Sequence, residues 1–188
     1  MTHEYPLSEF ASRYDRQEHE LFSLCSEFPG YWIAGGAVRA FLTGAPITTD
    51  VDVFFRNEQQ KNMFIDTYAP EGKLVTKLHT TFKYKEWKIQ AIYLEYYPDL
   101  NTLLDSFDYT ICMCGTDGNR LLVGNYTLWD LARKKLVVNK ITYGTASLRR
   151  MLKYAKQGYT VCQGTASELL TQVSQNPDTI RGDIGYVD

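Results

Sequence analysis

Between Ile33 and Phe55 the chain carries two adjacent glycines, Gly35 and Gly36, an arginine, Arg39, and two aspartates spaced D-x-D, Asp50 and Asp52. On a strand, residues two apart project from the same face, about 7 Å from one another along the chain. Like charges held that close are unfavourable unless something positive lies between or above them. A divalent metal pair, typically about 3.5–4 Å apart in phosphoryl-transfer sites, supplies that charge and binds substrate phosphates as well. Gly35-Gly36 falls where a strand gives way to a helix. Absent side chains there let the backbone approach an anion, and the N–H groups of the helix N-terminus point at phosphate oxygens. Arg39 follows on that helix, and its planar fork of donors suits a triphosphate. Taken singly, each feature has an ordinary structural explanation: a solvated edge strand, a tight turn, an ion pair. Taken together they describe one site for Mg²⁺ or Mn²⁺ and a nucleoside triphosphate.

The elements that must position these residues read as mixed α and β. Leu7, Phe10, Ala11, Tyr14, Leu21, Leu24, Cys25 and Phe28 recur at helical spacing and predict a helix over 7–28, stopped by Pro29-Gly30. Tyr31 to Ala34 reads as a short strand, followed by the glycine pair and a helix ending near Gly44. Asp50 to Phe55 alternates as a strand with aspartates on one face and valines on the other. A polar helix over 58–68 is closed by Pro70-Glu71-Gly72. Residues 73–95 are β-prone, 98–106 predict a short helix and 108–114 a strand. Asp117-Gly118 marks a hairpin turn before a returning strand at 121–123. Two helices are expected at about 145–157 and 165–174, with Gly158 in the position that ends the first. The tail from 176 is turn-rich.

A chain of 188 residues with 44% hydrophobic and 22% charged residues has a globular composition. Its net charge of −2 gives no global basic field for nucleic acid, so any such surface must be local. No apolar run approaches the roughly 20 residues needed to span a bilayer, and MTHEYPLSEF has no signal-peptide pattern. Cys25, Cys112, Cys114 and Cys162 pair with no second C-x-x-C unit or histidine cluster, which argues against a zinc site. Reduced thiols and a cytoplasmic location are the expectation.

Gly35-Gly36-Ala37-Val38-Arg39, Leu42, Gly44 and Asp50-Val51-Asp52 resemble the G-G-x-V-R-D-x-L-x-G…D-x-D signature of the DNA polymerase β superfamily of nucleotidyltransferases. The similarity is to the head domain of class II tRNA CCA-adding enzymes and bacterial poly(A) polymerases. It implies an α+β nucleotidyltransferase fold, with a mixed central sheet flanked by helices and a short C-terminal helical extension. The expected division is a head over 1–140 and a neck-like extension over 141–188. By the same resemblance Gly35 and Gly36 contact the triphosphate, and Asp50 and Asp52 are the catalytic metal ligands. Phe107-Asp108-Tyr109-Thr110-Ile111 is similar to the family's R-R-D-F-T-I-N-A motif, which makes Asp108 a nucleotide-binding candidate or a third acidic group near the metals. Leu148 to Tyr159 resembles the first neck helix and brings in Arg149 and Arg150. Arg149, Lys153 and Lys156 form a basic stripe on that helix, able to follow an RNA backbone or reach the triphosphate.

The chain departs from the family at Ala40, where the family has aspartate, and at Ser106-Phe107, which replaces the paired arginines. It departs again at Gln90, on the strand where a third acidic residue is usual, and it lacks the E-D-x-x-R motif that reads the base. The expectation is a head-only protein of the kind carried by phages and mobile elements. It would transfer a nucleoside monophosphate to an acceptor hydroxyl on tRNA or other RNA, on a protein or on a small molecule. The alternative keeps the fold without catalysis, as a nucleotide-, RNA- or protein-binding module.

Overall fold

Alternation along a strand sorts its side chains onto two faces, and in β3 (Val51–Phe55) it does so cleanly. Val51, Val53 and Phe55 are fully buried in one hydrophobic cluster, while Phe54 belongs to a second cluster across the sheet, on the face that also carries Asp52. The computed structural model describes residues 2–10, 16–27, 29–69 and 72–175. The elements before β3 are β1 (Thr2–Pro6), a 3₁₀ turn (Leu7–Phe10), α1 (Arg16–Ser23), β2 (Tyr31–Ala34) and α2 (Gly36–Thr43). After it come α3 (Glu58–Tyr68), β4 (Leu74–Val75), β5 (His79–Tyr84), β6 (Trp87–Ile92), α4 (Leu100–Asp105) and a 3₁₀ turn (Thr110–Cys112). The chain continues through β7 (Cys114–Thr116), β8 (Arg120–Gly124), α5 (Thr127–Ala132), β9 (Lys135–Leu136), α6 (Gly144–Lys156), β10 (Thr160–Val161) and α7 (Gln163–Gln175).

Eight strands form one sheet in the order β1-β8-β7-β2-β3-β6-β5-β4. Every pairing in it is antiparallel except β3 with β6, which is parallel and sets Asp52 opposite Gln90. A small parallel pair, β9 with β10, lies apart. Residues of α1, α2 and α3 cover one face of the large sheet, where Tyr31, Phe55 and Phe64 meet edge-to-face with ring centroids 5.3–5.8 Å apart. On the other face, α4 packs Leu100, Leu103 and Leu104 against Trp32, Ala34 and Phe54, leaving the Asp52 end of that face for a cleft. Local sequence fixes the helix starts: Asn57 accepts from Gln60 N at 3.0 Å to cap α3, and Asp99 accepts from Thr102 N at 2.8 Å to cap α4. Among the described residues no helix is long and apolar enough to cross a membrane.

The mixed α and β architecture follows the sequence expectation, as do the elements at 31–34, 36–43, 58–68 and 79–92 and the two C-terminal helices. Two expectations need correction. The single helix over 7–28 is not formed: Leu7 N donates to Asn119 O at 2.9 Å, extending the β1–β8 pairing and holding the chain out of helix there. The described helix spans Arg16–Ser23; Ala11, Tyr14 and Phe28, assigned to it from sequence, lie outside the described residues, as do Pro70, Glu71 and the tail. Residues 108–114 do not form one strand either. Thr127 Oγ1 donates to the carbonyls of Thr110 (2.8 Å) and Met113 (3.2 Å), and Thr110 Oγ1 donates to Asp130 at 2.6 Å, winding 110–112 into a turn. Strand β7 therefore starts at Cys114, and Cys112 and Cys114 belong to different elements.

The Thr110–Asp130 bond is buried at both ends and pins the segment that delivers Asp108 and Cys112. Thr110→Val keeps the shape and removes a donor from a buried carboxylate. Urea denaturation is expected to show a loss of about 1–3 kcal/mol.

Candidate functional site

The site begins at the strand-to-helix turn. Gly35 has φ 75°, a conformation that favours glycine, and its N–H donates to Cys114 O at 2.8 Å. A Cβ on Gly36 would meet Thr49 Oγ1 at 3.2 Å, so the turn is also close-packed against the segment leading to Asp50. Arg39 N closes the first helical turn on Gly35 O at 2.8 Å. The N-cap of α2 is Gly35, which has no side chain to cap the helix, and this end of α2 is where Gly35 and Gly36 line a cleft.

This cleft has a volume of about 660 Å³. Gly35, Gly36, Arg39, Asp50, Asp52, Asp108 and Arg150 all line it, so the structure brings together the catalytic and nucleotide-binding candidates from sequence with the exception of one. Arg149 is the exception: it is exposed and is not among the cleft-lining residues. The basic stripe splits, with Lys153 turned into the cleft beside Arg150 while Arg149 and Lys156 are exposed. Lys140 and Thr49 also line the cleft, and no sequence signal picked them out.

Asp50 sits just before β3, one residue outside the strand expected to include it. Its Oδ2 accepts from Lys88 Nζ at 3.0 Å and from Gln90 Nε2 at 2.9 Å. Asp52 keeps some exposure as a residue, but its Oδ1 is buried without a hydrogen-bond partner among the described residues. Burial, and secondarily the Asp50 carboxylate, push the Asp52 carboxyl up to about 7, while the positive charges of Lys153 and Arg150 pull the other way. Gln90 Oε1 is likewise buried and unpartnered.

Arg39 lies 4.6 Å over the Tyr154 ring, and its Nη1 donates to Cys112 Sγ at 3.6 Å. Cys112 and Tyr154 contact one another at 3.1 Å. Burial raises both the thiol and the phenol, so these groups stay protonated and act as a support that fixes the guanidinium. Asp108 is 5% exposed and paired with Arg150 Nε at 2.6 Å. Asp108 therefore fixes the position of Arg150, whose helix is anchored nearby where Tyr109 Oη donates to Ser147 O at 2.7 Å.

No group of three His, Cys, Asp or Glu side chains able to hold a metal occurs among the described residues. The available donors are the Asp50 and Asp52 carboxylates and the Gln90 amide oxygen. Two of these residues, Asp52 and Gln90, offer a buried oxygen with no hydrogen-bond partner among the described residues, and all are hard oxygen donors, which fits Mg²⁺ or Mn²⁺ better than any softer metal.

Comparison with known proteins gives a family and a fold. The model of a family described as "Gabija anti-defense 2 family protein" matches residues 2–134. "Gabija anti-defense 2" of Bacillus phage SPbetaL7 is 30% identical over 138 residues, covering 69% of this chain and 34% of that protein. The chain thus spans about a third of the length of this curated relative. A CCA-adding enzyme solved with CTP superposes with a TM-score of 0.71 at 17% identity, over 95% of this chain and 48% of that one. The Thermotoga maritima CCA-adding enzyme complexed with tRNA superposes with a TM-score of 0.68 at 17% identity, over 92% and 46%. These likenesses establish the nucleotidyltransferase fold, shared with about half the length of each enzyme.

The Asp52 carboxyl makes stability depend on pH. Below about pH 4 the folded and unfolded chains both hold its proton. Between about 4 and 7 only the folded chain does, so its contribution falls as pH rises and reaches its full penalty above about 7. In EDTA, Asp52→Asn is expected to raise stability by up to a few kcal/mol near pH 8 and by little near pH 4, read from urea midpoints at the two pH values.

Proposed function

We propose, from the premise that this chain belongs to the Gabija anti-defense 2 family and has the nucleotidyltransferase fold, that it is a metal-dependent nucleotidyltransferase. The observation that carries this reading is the single cleft in which the Gly35-Gly36 turn faces the same space as Asp50 and Asp52. In this reading the N–H groups of the first turn of α2, beginning with Gly36, hold the triphosphate, while the Gly35 N–H stays on Cys114 O. Arg39, Arg150 and Lys153 add positive charge to its phosphates, and Asp108 acts as a positioning residue through Arg150. Asp50 and Asp52 would hold Mg²⁺ or Mn²⁺, which supplies charge neutralisation to the phosphates and the attacking hydroxyl.

An acceptor hydroxyl attacks the α-phosphorus, forming a new P–O bond as the bond to the β-phosphate's bridging oxygen breaks. Pyrophosphate leaves, and the hydroxyl proton passes to water. Positioning and electrostatics carry most of the acceleration in such transfers. CTP and tRNA accompany the solved enzymes that share this fold, which supports a nucleoside triphosphate and an RNA end as substrates. The family's name supports an acceptor, RNA or protein, within the Gabija defence.

A second reading rests on Lys88 and Gln90. Asp50 already has an ammonium and an amide on its Oδ2, and no third carboxylate stands beside it, which suits a module that binds nucleotide without transferring it.

Incubation with each α-phosphate-labelled nucleoside triphosphate, Mg²⁺ or Mn²⁺, RNA and host lysate separates the two. Label on RNA or protein with the wild type and none with Asp50→Ala or Asp52→Ala is the expected outcome. Equal labelling by the variants would overturn the mechanism, and no labelling with retained triphosphate binding would favour the module.

A further inference from the structure

Asp50 and Asp52 share one face of the sheet yet differ in what already meets them. Oδ2 of Asp50 accepts from two side chains of β6, Lys88 Nζ at 3.0 Å and Gln90 Nε2 at 2.9 Å. Asp52 Oδ1 has no hydrogen-bond partner among the described residues, and neither has Gln90 Oε1. Asp52 and Gln90 are register partners across the parallel β3–β6 pair, so the two orphaned oxygens belong to neighbouring side chains on one face. Chemistry fixes the amide: only its NH₂ end can donate to the Asp50 carboxylate, which commits the carbonyl end as an acceptor.

We infer that Lys88 is a tethered counter-charge for Asp50, and that Gln90 contributes a neutral oxygen beside Asp52. The site would then take one divalent cation, at the Asp52–Gln90 side, in place of a pair. The inference rests on the transferase reading above. The charges argue for it directly. With both carboxyls ionised, Asp50 and Asp52 carry two negative charges, and the Lys88 ammonium offsets the one on Asp50 without any metal. A second divalent ion at Asp50 would have to displace that ammonium or lie against it. Lys88 is 61% exposed, so water screens the repulsion without abolishing it; the expected penalty to an ion at Asp50 is roughly tenfold in affinity.

Titration of the full chain with Mn²⁺ alone, with free ion read from its electron paramagnetic resonance signal, tests this. The wild type is expected to bind one ion per chain. Lys88→Ala should tighten Mn²⁺ roughly tenfold or admit a second ion, and Lys88→Arg should match the wild type. Gln90→Leu should weaken the single ion while thermal unfolding stays cooperative. Two ions on the wild type, or an unchanged affinity in Lys88→Ala, would overturn the inference and leave the transferase reading standing. Absence of Mn²⁺ binding by every variant would overturn both.

Discussion

A carboxylate oxygen enclosed by protein is unfavourable until a proton or a cation meets it, and Asp52 Oδ1 is such an atom. The rest of the site can be understood as what surrounds that unmet charge. The parallel β3–β6 pairing sets Gln90 alongside it, the segment through Asp50 adds a second negative group, and α6 brings two cations whose fields oppose both. Val51, Val53 and Phe55 keep β3 in place from the opposite face, so Asp52 cannot swing out without moving the core. The strain is electrostatic, held by hydrophobic packing.

Supports behind the charged groups are mostly neutral. Arg39 leans on Tyr154 and Cys112, Arg150 is locked by a buried partner, and α6 is tied through Tyr109 to the segment after α4. Preset donors lose little orientational freedom when an anion arrives, which is how a cleft binds phosphates without rearranging. The start of α2 obeys the same logic, since Gly35 is held to Cys114 O and the helix fixes the N–H groups that follow.

Local pattern made much of this readable. The alternation Asp50-Val51-Asp52-Val53 announces its two faces, the glycine pair announces a turn, and the run from Leu148 to Gly158 announces a helix end. What could not be read were facts of pairing and rotation. Nothing in the local sequence says that β6 runs parallel to β3, so Lys88's approach to Asp50 has no sequence signal of its own. Likewise, the phase of α6 is set by burying Ser147 and Tyr154, and that rotation brings Lys153 into the cleft and leaves Arg149 outside it. The turn at 110–112 depends on Thr127 and Asp130, side chains supplied by another helix. Strand β1 escaped notice because a short edge strand ending in proline has almost no periodicity to detect.

That same strand governs the order in which the molecule can be assembled during synthesis. Thr2 pairs with Gly124 and Pro6 with Arg120, so β1 has no partner in the sheet until the chain has grown past residue 124. Strands β2 to β6 can dock on one another well before that, because β3 joins β2 and β6 joins β3 within the first half of the chain. Within the large sheet this is the longest closure, and its entropy is met only once β8 is available to receive it. Until β8 has been made, β1 is a strand edge without its partner, and whatever first engages it there competes with β8 for the same backbone groups.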